Sequence, residues 1–259
     1  MYGEFKTFLT MCAIAVVVSG AGRAVAQTPE VKEKPPLYSY IGFWTIPRAQ
    51  WADMEKSTVT DEKLLAKALA SGTVVGYGND RNLVHTPDGP THDDWWSSMS
   101  LAGVLNVLDQ FYQSGNTTTP VLGSATRHWD NIYVSRYYNW HSGTIKNGYT
   151  YVASYQLKAD APNNAVETLS KSLVVPLLEQ QLAAGNIQEY EIDTEAVHTD
   201  APGIVLIVYI ANSAEGLDKV NAARLEALKA NPLAGPGFGS MIDSPAHRDY
   251  LSRTNATYK

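Results

Sequence analysis

The chain has 259 residues, 44% of them hydrophobic and 18% charged, with a formal charge of −6. That is enough apolar material for a folded core, and it excludes a disordered or collagen-like chain. Lysine and arginine are scattered with no basic run, so the counterion release that drives nucleic-acid binding has no source, and nucleic acid is not expected as a partner.

Residues 1–26 read as an export signal. Lys6 supplies an early positive charge, Leu9 to Val18 is apolar except for Thr10, and Ala24-Val25-Ala26 places small residues before a cleavage point at Gln27. The apolar run is shorter than the roughly 20 residues a spanning helix needs, so the expected product is periplasmic or extracellular and free of the membrane after cleavage. Its only cysteine, Cys12, leaves with the signal. The mature chain is therefore expected to contain no disulfide, catalytic thiol or thiolate metal ligand. Residues 27–36, with Pro29, Pro35 and Pro36 among alternating charges, read as an extended leader.

The elements that follow fall into two series. In residues 37–140 the pattern predicts a strand over Tyr38–Ile46, a helix ending at Gly72, strands over 73–85 and 91–99, a helix over Ser100–Tyr112 and a strand over 128–138. In residues 141–259, Tyr149–Lys158 is rich in β formers, and Val166, Leu169, Leu173, Leu177 and Leu182 recur at helical spacing until Gly185. Strands are expected over Ile187–Thr199 and Gly203–Ala211, turning at Pro202-Gly203. Ser213 then caps a helix carrying Leu217, Val220, Leu225 and Leu228, and a strand over 247–258 closes the series. The Gly235-Pro236-Gly237-Phe238-Gly239 run reads as a flexible connection. The order is βαββαβ, twice.

A repeat links the two series. Shifted by 113 residues, Leu64–Val107 overlays Leu177–Val220 without a gap at 13 identical positions, including Tyr77 with Tyr190, Asp80 with Asp193 and Val84-His85-Thr86 with Val197-His198-Thr199. A second block pairs Tyr133-Val134-Ser135-Arg136 with Tyr250-Leu251-Ser252-Arg253. A period above 100 residues signals duplicated domains and not a solenoid. Each βαββαβ unit is the ferredoxin-like arrangement, four antiparallel strands with both helices on one face. Ile204–Val208 is apolar at both parities, so the opposite face also needs a cover, and each unit can supply it for the other.

On this element order and these repeat blocks the sequence resembles the dimeric α+β barrel superfamily. The resemblance spans nearly the whole mature chain and implies an α+β fold of two tandem ferredoxin-like modules, 37–140 and 141–259, packed sheet to sheet as a fused barrel. It leaves a homo-oligomer open. It also implies two enzyme types, cofactor-independent monooxygenases and haem-dependent enzymes, without selecting a cofactor.

Candidate site residues follow from the repeat and from the aromatic bias of the first half. Tyr77 with His85, and Tyr190 with His198, are eight apart along a strand and would share one face. They read either as polar participants on a barrel wall, the histidine serving as general base, or as relics of duplication that finish a strand. His85, His92 and Asp93 are ligand types for a divalent metal in a hairpin, but their spacing matches no metal signature, and a solvated turn is the favoured reading. Arg136 and Arg253 could pair with Asp80 or Asp193 at the module interface, or hold a substrate carboxylate. Trp95 and Trp96 are adjacent on a strand and must face opposite ways, one toward the helices and one toward a lumen where it could stack on a planar ligand. The leading expectation is an exported binding protein for a small organic molecule in the lumen. The alternatives are an enzyme using His85, Tyr77 and His198, and a protein-interaction module acting through its outer surface.

Overall fold

A computed structural model describes residues 31–86, 89–199 and 202–259. The expected signal, residues 27–30 of the leader, and the turn residues Asp88 and Asp200 lie outside the described residues. The strands are β1 (Leu37–Thr45), β2 (Gly76–Asn82), β3 (His92–Ser98), β4 (Arg127–Trp140), β5 (Thr144–Gln156), β6 (Ile187–Glu195), β7 (Ile204–Ala211) and β8 (Arg248–Tyr258). They close into one antiparallel barrel in the order β1-β3-β2-β8-β5-β7-β6-β4.

That ring is the repeat made physical. The orders β4-β1-β3-β2 and β8-β5-β7-β6 are the same four-strand sheet, built once from each half of the chain. The sheets face one another across a lumen and are hydrogen-bonded along both edges, β2 to β8 and β4 to β6. Closure leaves neither module an unpaired edge, which is why an all-antiparallel sheet of this size needs no edge protection.

Helices α1 (Trp51–Ala70), α2 (Leu101–Ser114) and α3 (Pro120–Gly123) lie in the first half, and α4 (Ala165–Leu169), α5 (Val175–Ala183), α6 (Ala214–Ala230) and α7 (Ala234–Met241) in the second. Two separate cores form between helices and sheet. One contains Leu65, Tyr77, Trp96, Val104 and Val107, the other Leu178, Leu182, Tyr190, Ile192 and Val220. Strand alternation then fixes what faces inward: Tyr77 and Trp96 point to the helices, so Asp80 and Trp95 point to the lumen.

The two main helices after the hairpins start alike. Ser100 Oγ accepts from Gly103 N at 3.1 Å and Ser213 Oγ from Gly216 N at 3.2 Å, each satisfying one orphan donor of the first turn. The duplicated glycines are required by closeness to the sheet: a Cβ at Gly103 would lie 2.9 Å from Thr73 O, and one at Gly216 would lie 2.5 Å from Asn186 O.

Two segments differ from expectation. The predicted helix over Val166–Leu182 contains a π turn at Ser170–Val174, where Val175 N donates to Ser170 O just ahead of Pro176, whose ring cannot fit a regular ladder. The glycine-rich run 235–239 is not a loose connection. It lies in α7, where Phe238 packs edge-on against Tyr155 at 4.8 Å and Lys158 Nζ donates to Gly239 O and Ser240 O, so tertiary contacts override weak helix propensity. The described end of the leader is docked on β4: Lys34 N donates to Arg136 O at 2.9 Å and Tyr138 Oη to Pro35 O at 2.8 Å.

Candidate functional site

The lumen holds a cavity of about 210 Å³. A cavity of roughly 150 Å³ accommodates benzene, so this one takes a substituted single ring or a compact bicyclic body. Its apolar wall includes Ile41, Phe43, Trp95, Trp129, Leu206 and Val208, contributed by both modules. The polar wall is unusual in being acidic: Asp80, Asp93, Glu189, Glu191 and Asp193 all line it.

Each carboxyl is placed by strand geometry. Glu189, Glu191 and Asp193 occupy alternate positions of β6, whose intervening Tyr190 and Ile192 enter the helix-side core. Asp80 and Asp93 are directly opposed across the β2–β3 ladder. Asp80 accepts from Thr150 Oγ1 at 2.9 Å and from Trp95 Nε1 at 3.2 Å, so groups from both modules meet on one carboxylate. Ser39 Oγ donates to Glu191 Oε2 at 3.1 Å. Asp193 Oδ1 has no hydrogen-bond partner among the described residues.

Among the described residues, one cation enters this acidic interior. Lys259 Nζ lies 3.2 Å from Glu191 Oε1 and 3.5 Å from Glu189 Oε2, with its side chain only 1% exposed. The ammonium also stands 5.1 Å from the Trp95 ring centre and 4.8 Å from that of Trp140, a cation–π arrangement on two indoles. Space for it comes from Gly76, where a Cβ would fall 2.3 Å from Lys259 Cδ. The repeat places Glu189 at the position equivalent to Gly76 and Glu191 at that of Gly78, so one module provides the carboxylates and the other the room.

Burial controls the protonation of these groups. It pushes Asp80 up to about 6 against the hydrogen bonds that hold it down, and raises Asp93 well above its ordinary value with help from the Asp80 and Asp94 charges. Glu189 is pushed up to about 7 by burial, partly offset by Lys259, and Asp193 is raised strongly by burial and then by Glu191. Burial alone would lower Lys259, yet Glu189 and Glu191 more than offset it, so its ammonium is retained. Burial thus favours the protonated form of both opposed acids, and the charge of Asp80 adds to the effect at Asp93.

The residues singled out from sequence divide sharply. Trp95 lines the cavity. Trp96 faces the helices, stacked on Tyr40 at 4.1 Å with its Nε1 donating to Val104 O. Tyr77 and Tyr190 also lie on the helix side, Tyr77 stacked on Tyr258 and Tyr190 donating to Glu179 Oε1 at 2.6 Å. His85 and His198 lie beyond the ends of β2 and β6 and are exposed, His85 ring nitrogen meeting Asn82 O at 2.9 Å and its ring facing Trp51. No polar tyrosine and histidine pair therefore stands on the lumen wall, because both strands end before the histidine and direct the tyrosine outward.

The arginine expectation is corrected in the same way. Arg253 faces outward over the Tyr149 ring and donates to Asn147 O, and Arg136 is exposed at a strand irregularity, while Asp80 and Asp193 point inward. His92 and Asp93 are consecutive and so project to opposite faces, which separates the hairpin's ligand types, and no group of three candidate metal ligands occurs among the described residues. Burial, then Arg81 and His85, lowers His92 to about 4, so it stays neutral.

Haem fits poorly. None of the chain's six histidines lines the lumen cavity or the space of about 70 Å³ between the first sheet and its helices, so a histidine axial ligand is lacking at both, and neither volume approaches that of a porphyrin.

No protein-family model and no curated protein sequence matches the chain. Among solved structures it is similar to a candidate monooxygenase from Lactobacillus acidophilus NCFM, with a TM-score of 0.60 and 10% identity, covering 87% of this chain and 97% of that one. A candidate monooxygenase from Fusobacterium nucleatum subsp. nucleatum gives 0.60 at 8% identity, covering 86% and 94%, and an anthrone oxidase-like protein gives 0.51 at 11%, covering 87% and 93%. The chain has the dimeric α+β barrel fold, with both modules fused in a single polypeptide.

Proposed function

We propose that this is an exported protein that binds a small organic molecule with an aromatic or apolar body inside the barrel. The lumen cavity carries the reading: about 210 Å³ walled by Trp95, Phe43, Trp129 and Val208, with a few convergent polar groups, the usual make-up of a small-molecule site. Export rests on the Lys6, Leu9–Val18 and Ala24-Val25-Ala26 pattern. Two indoles on the wall give a direct test. One-ring aromatic compounds should quench tryptophan emission saturably, and Val208→Trp, which fills the cavity, should abolish the saturable phase. Equal binding by the filled variant would overturn the lumen as the site, and accumulation of uncleaved protein in the host cytoplasm would overturn export.

The opposed Asp80 and Asp93 support an enzymatic second reading, in which ionised Asp80 takes a proton from a bound phenol or enol that dioxygen then oxidises without a cofactor. The monooxygenase and anthrone oxidase names of the structural neighbours agree with such chemistry. Dioxygen uptake on adding a hydroquinone should rise above the uncatalysed rate and fall in Asp80→Asn. No difference between protein and buffer would remove this reading and leave binding intact.

A further inference from the structure

We propose that the lumen's ligand is a protonated amine whose ammonium sits on Asp193 and whose apolar body lies against Leu206, Val208 and Trp95. The inference rests on the lumen being a binding site and adds the chemical class it takes. Two independent observations carry it.

First, the lumen already holds an ammonium. Lys259 Nζ is bound by Glu191 at 3.2 Å and Glu189 at 3.5 Å under two indole rings, which is how an organic cation is recognised. Second, a further carboxyl is left over. Asp80 is satisfied by Thr150 and Trp95, whereas Asp193, 2% exposed, lines the cavity with Oδ1 unpartnered among the described residues. A buried acceptor without a donor costs free energy that a ligand N–H recovers, and a cationic N–H replaces the proton that burial favours on Asp193, which is released to solvent on binding. Asp193 pairs across the ladder with Leu206, so the polar anchor and the apolar wall are neighbours. An anionic ligand would meet Asp80, Glu189 and Glu191 with, among the described residues, only Lys259 in compensation.

The test is calorimetric titration of the purified protein with three probes of one shape: 2-phenylethylamine, 2-phenylethanol and phenylacetate. The amine should bind about tenfold or more tighter than the alcohol, and phenylacetate should give no measurable heat of binding. This ratio needs no variant. In Asp193→Asn, shown folded by its circular dichroism, the amine should weaken to the level of the alcohol while the alcohol is unchanged. Equal affinity of amine and alcohol for the native protein overturns the inference and leaves the lumen a binding site. Binding of none of the three overturns both. An amine preference that survives in Asp193→Asn overturns the assignment to Asp193.

Discussion

Lys259 Nζ stands 3.2 Å from Glu191 Oε1 in the barrel interior, tying β8 to a strand that is not its neighbour in the sheet. Both side chains are almost fully buried, so solvent does not screen the pair. Removing one partner leaves the other charge without compensation, a loss that typically costs about 3–5 kcal/mol. Lys259→Met should lower stability by about 3 kcal/mol in urea unfolding. Adding Glu189→Gln and Glu191→Gln to Lys259→Met should recover most of it, since the charge imbalance, and not lost volume, is the cause. No recovery in the triple variant would show that packing around the lysine stem dominates.

The acidic interior gives stability a dependence on pH. A carboxyl whose pKa is higher folded than unfolded binds more protons in the folded state, so its contribution falls as pH rises through the interval between the two values. For Asp80 that interval runs from about 4 to about 6, and for Glu189 to about 7, while Asp193 and Asp93 act in the same direction. His92 works the opposite way: it is lowered to about 4, so the unfolded chain takes up the proton first, and its contribution rises between about pH 4 and 6.5. Asp193→Asn removes one falling contribution without touching His92. Its stability relative to the native protein should increase as pH rises above about 4, measured as the difference in urea midpoint. A difference that is constant with pH would mean Asp193 is not buried as an acid.

Much of the fold can be read in the residues, and less of the site. The duplicated Ser100-x-x-Gly103 and Ser213-x-x-Gly216 starts, the strand alternation and the repeat itself specify two modules, because each is a local pattern with a local physical cause. The lumen wall is less legible, for a reason that is also physical. The repeated Tyr77, His85, Tyr190 and His198 occupy the helix-packing face and the strand ends, whereas the repeated Asp80 and Asp193 face the lumen. The other working groups lie where the repeat breaks, at Gly76 and Gly78 against Glu189 and Glu191, and at Trp95 against Val208. One signal was present: Glu189, Glu191 and Asp193 alternate with Tyr190 and Ile192, so once the apolar set packs on helices the acids must face in. Lys259 gave no such signal, since its placement depends on the β2–β8 junction, a contact between segments far apart in sequence.

The repeated glycines offer a matched pair of tests. In an ordinary helix Gly→Ala is stabilising by up to about 1 kcal/mol. At Gly103 and Gly216 the added methyl would meet Thr73 O and Asn186 O at 2.9 and 2.5 Å, and backbone cannot retreat as a flexible side chain would. Gly103→Ala and Gly216→Ala should each destabilise by about 1–3 kcal/mol in chemical unfolding. A neutral or stabilising result at either position would mean that the helix shifts away from its sheet without cost.

Gly78 links the backbone to the cavity wall. A Cβ there would stand 2.7 Å from Trp95 Cζ2 and 2.9 Å from Ala256 O, so the Trp95 indole occupies space that any larger residue would claim. The indole is fixed at its other end by the 3.2 Å bond from Nε1 to Asp80 Oδ2. Gly78→Ala should therefore turn the ring out of place, break that bond and leave Asp80 with one fewer donor. The expected effects are a loss of about 1–3 kcal/mol in stability and a change in tryptophan emission, accompanied by weaker quenching by one-ring aromatics. Gly123→Ala, with nothing within 4 Å of the added carbon, is the control and should leave all three unchanged. Unaltered quenching in a destabilised Gly78→Ala would separate Trp95 from the ligand and shift the aromatic contact to Trp129 or Phe43.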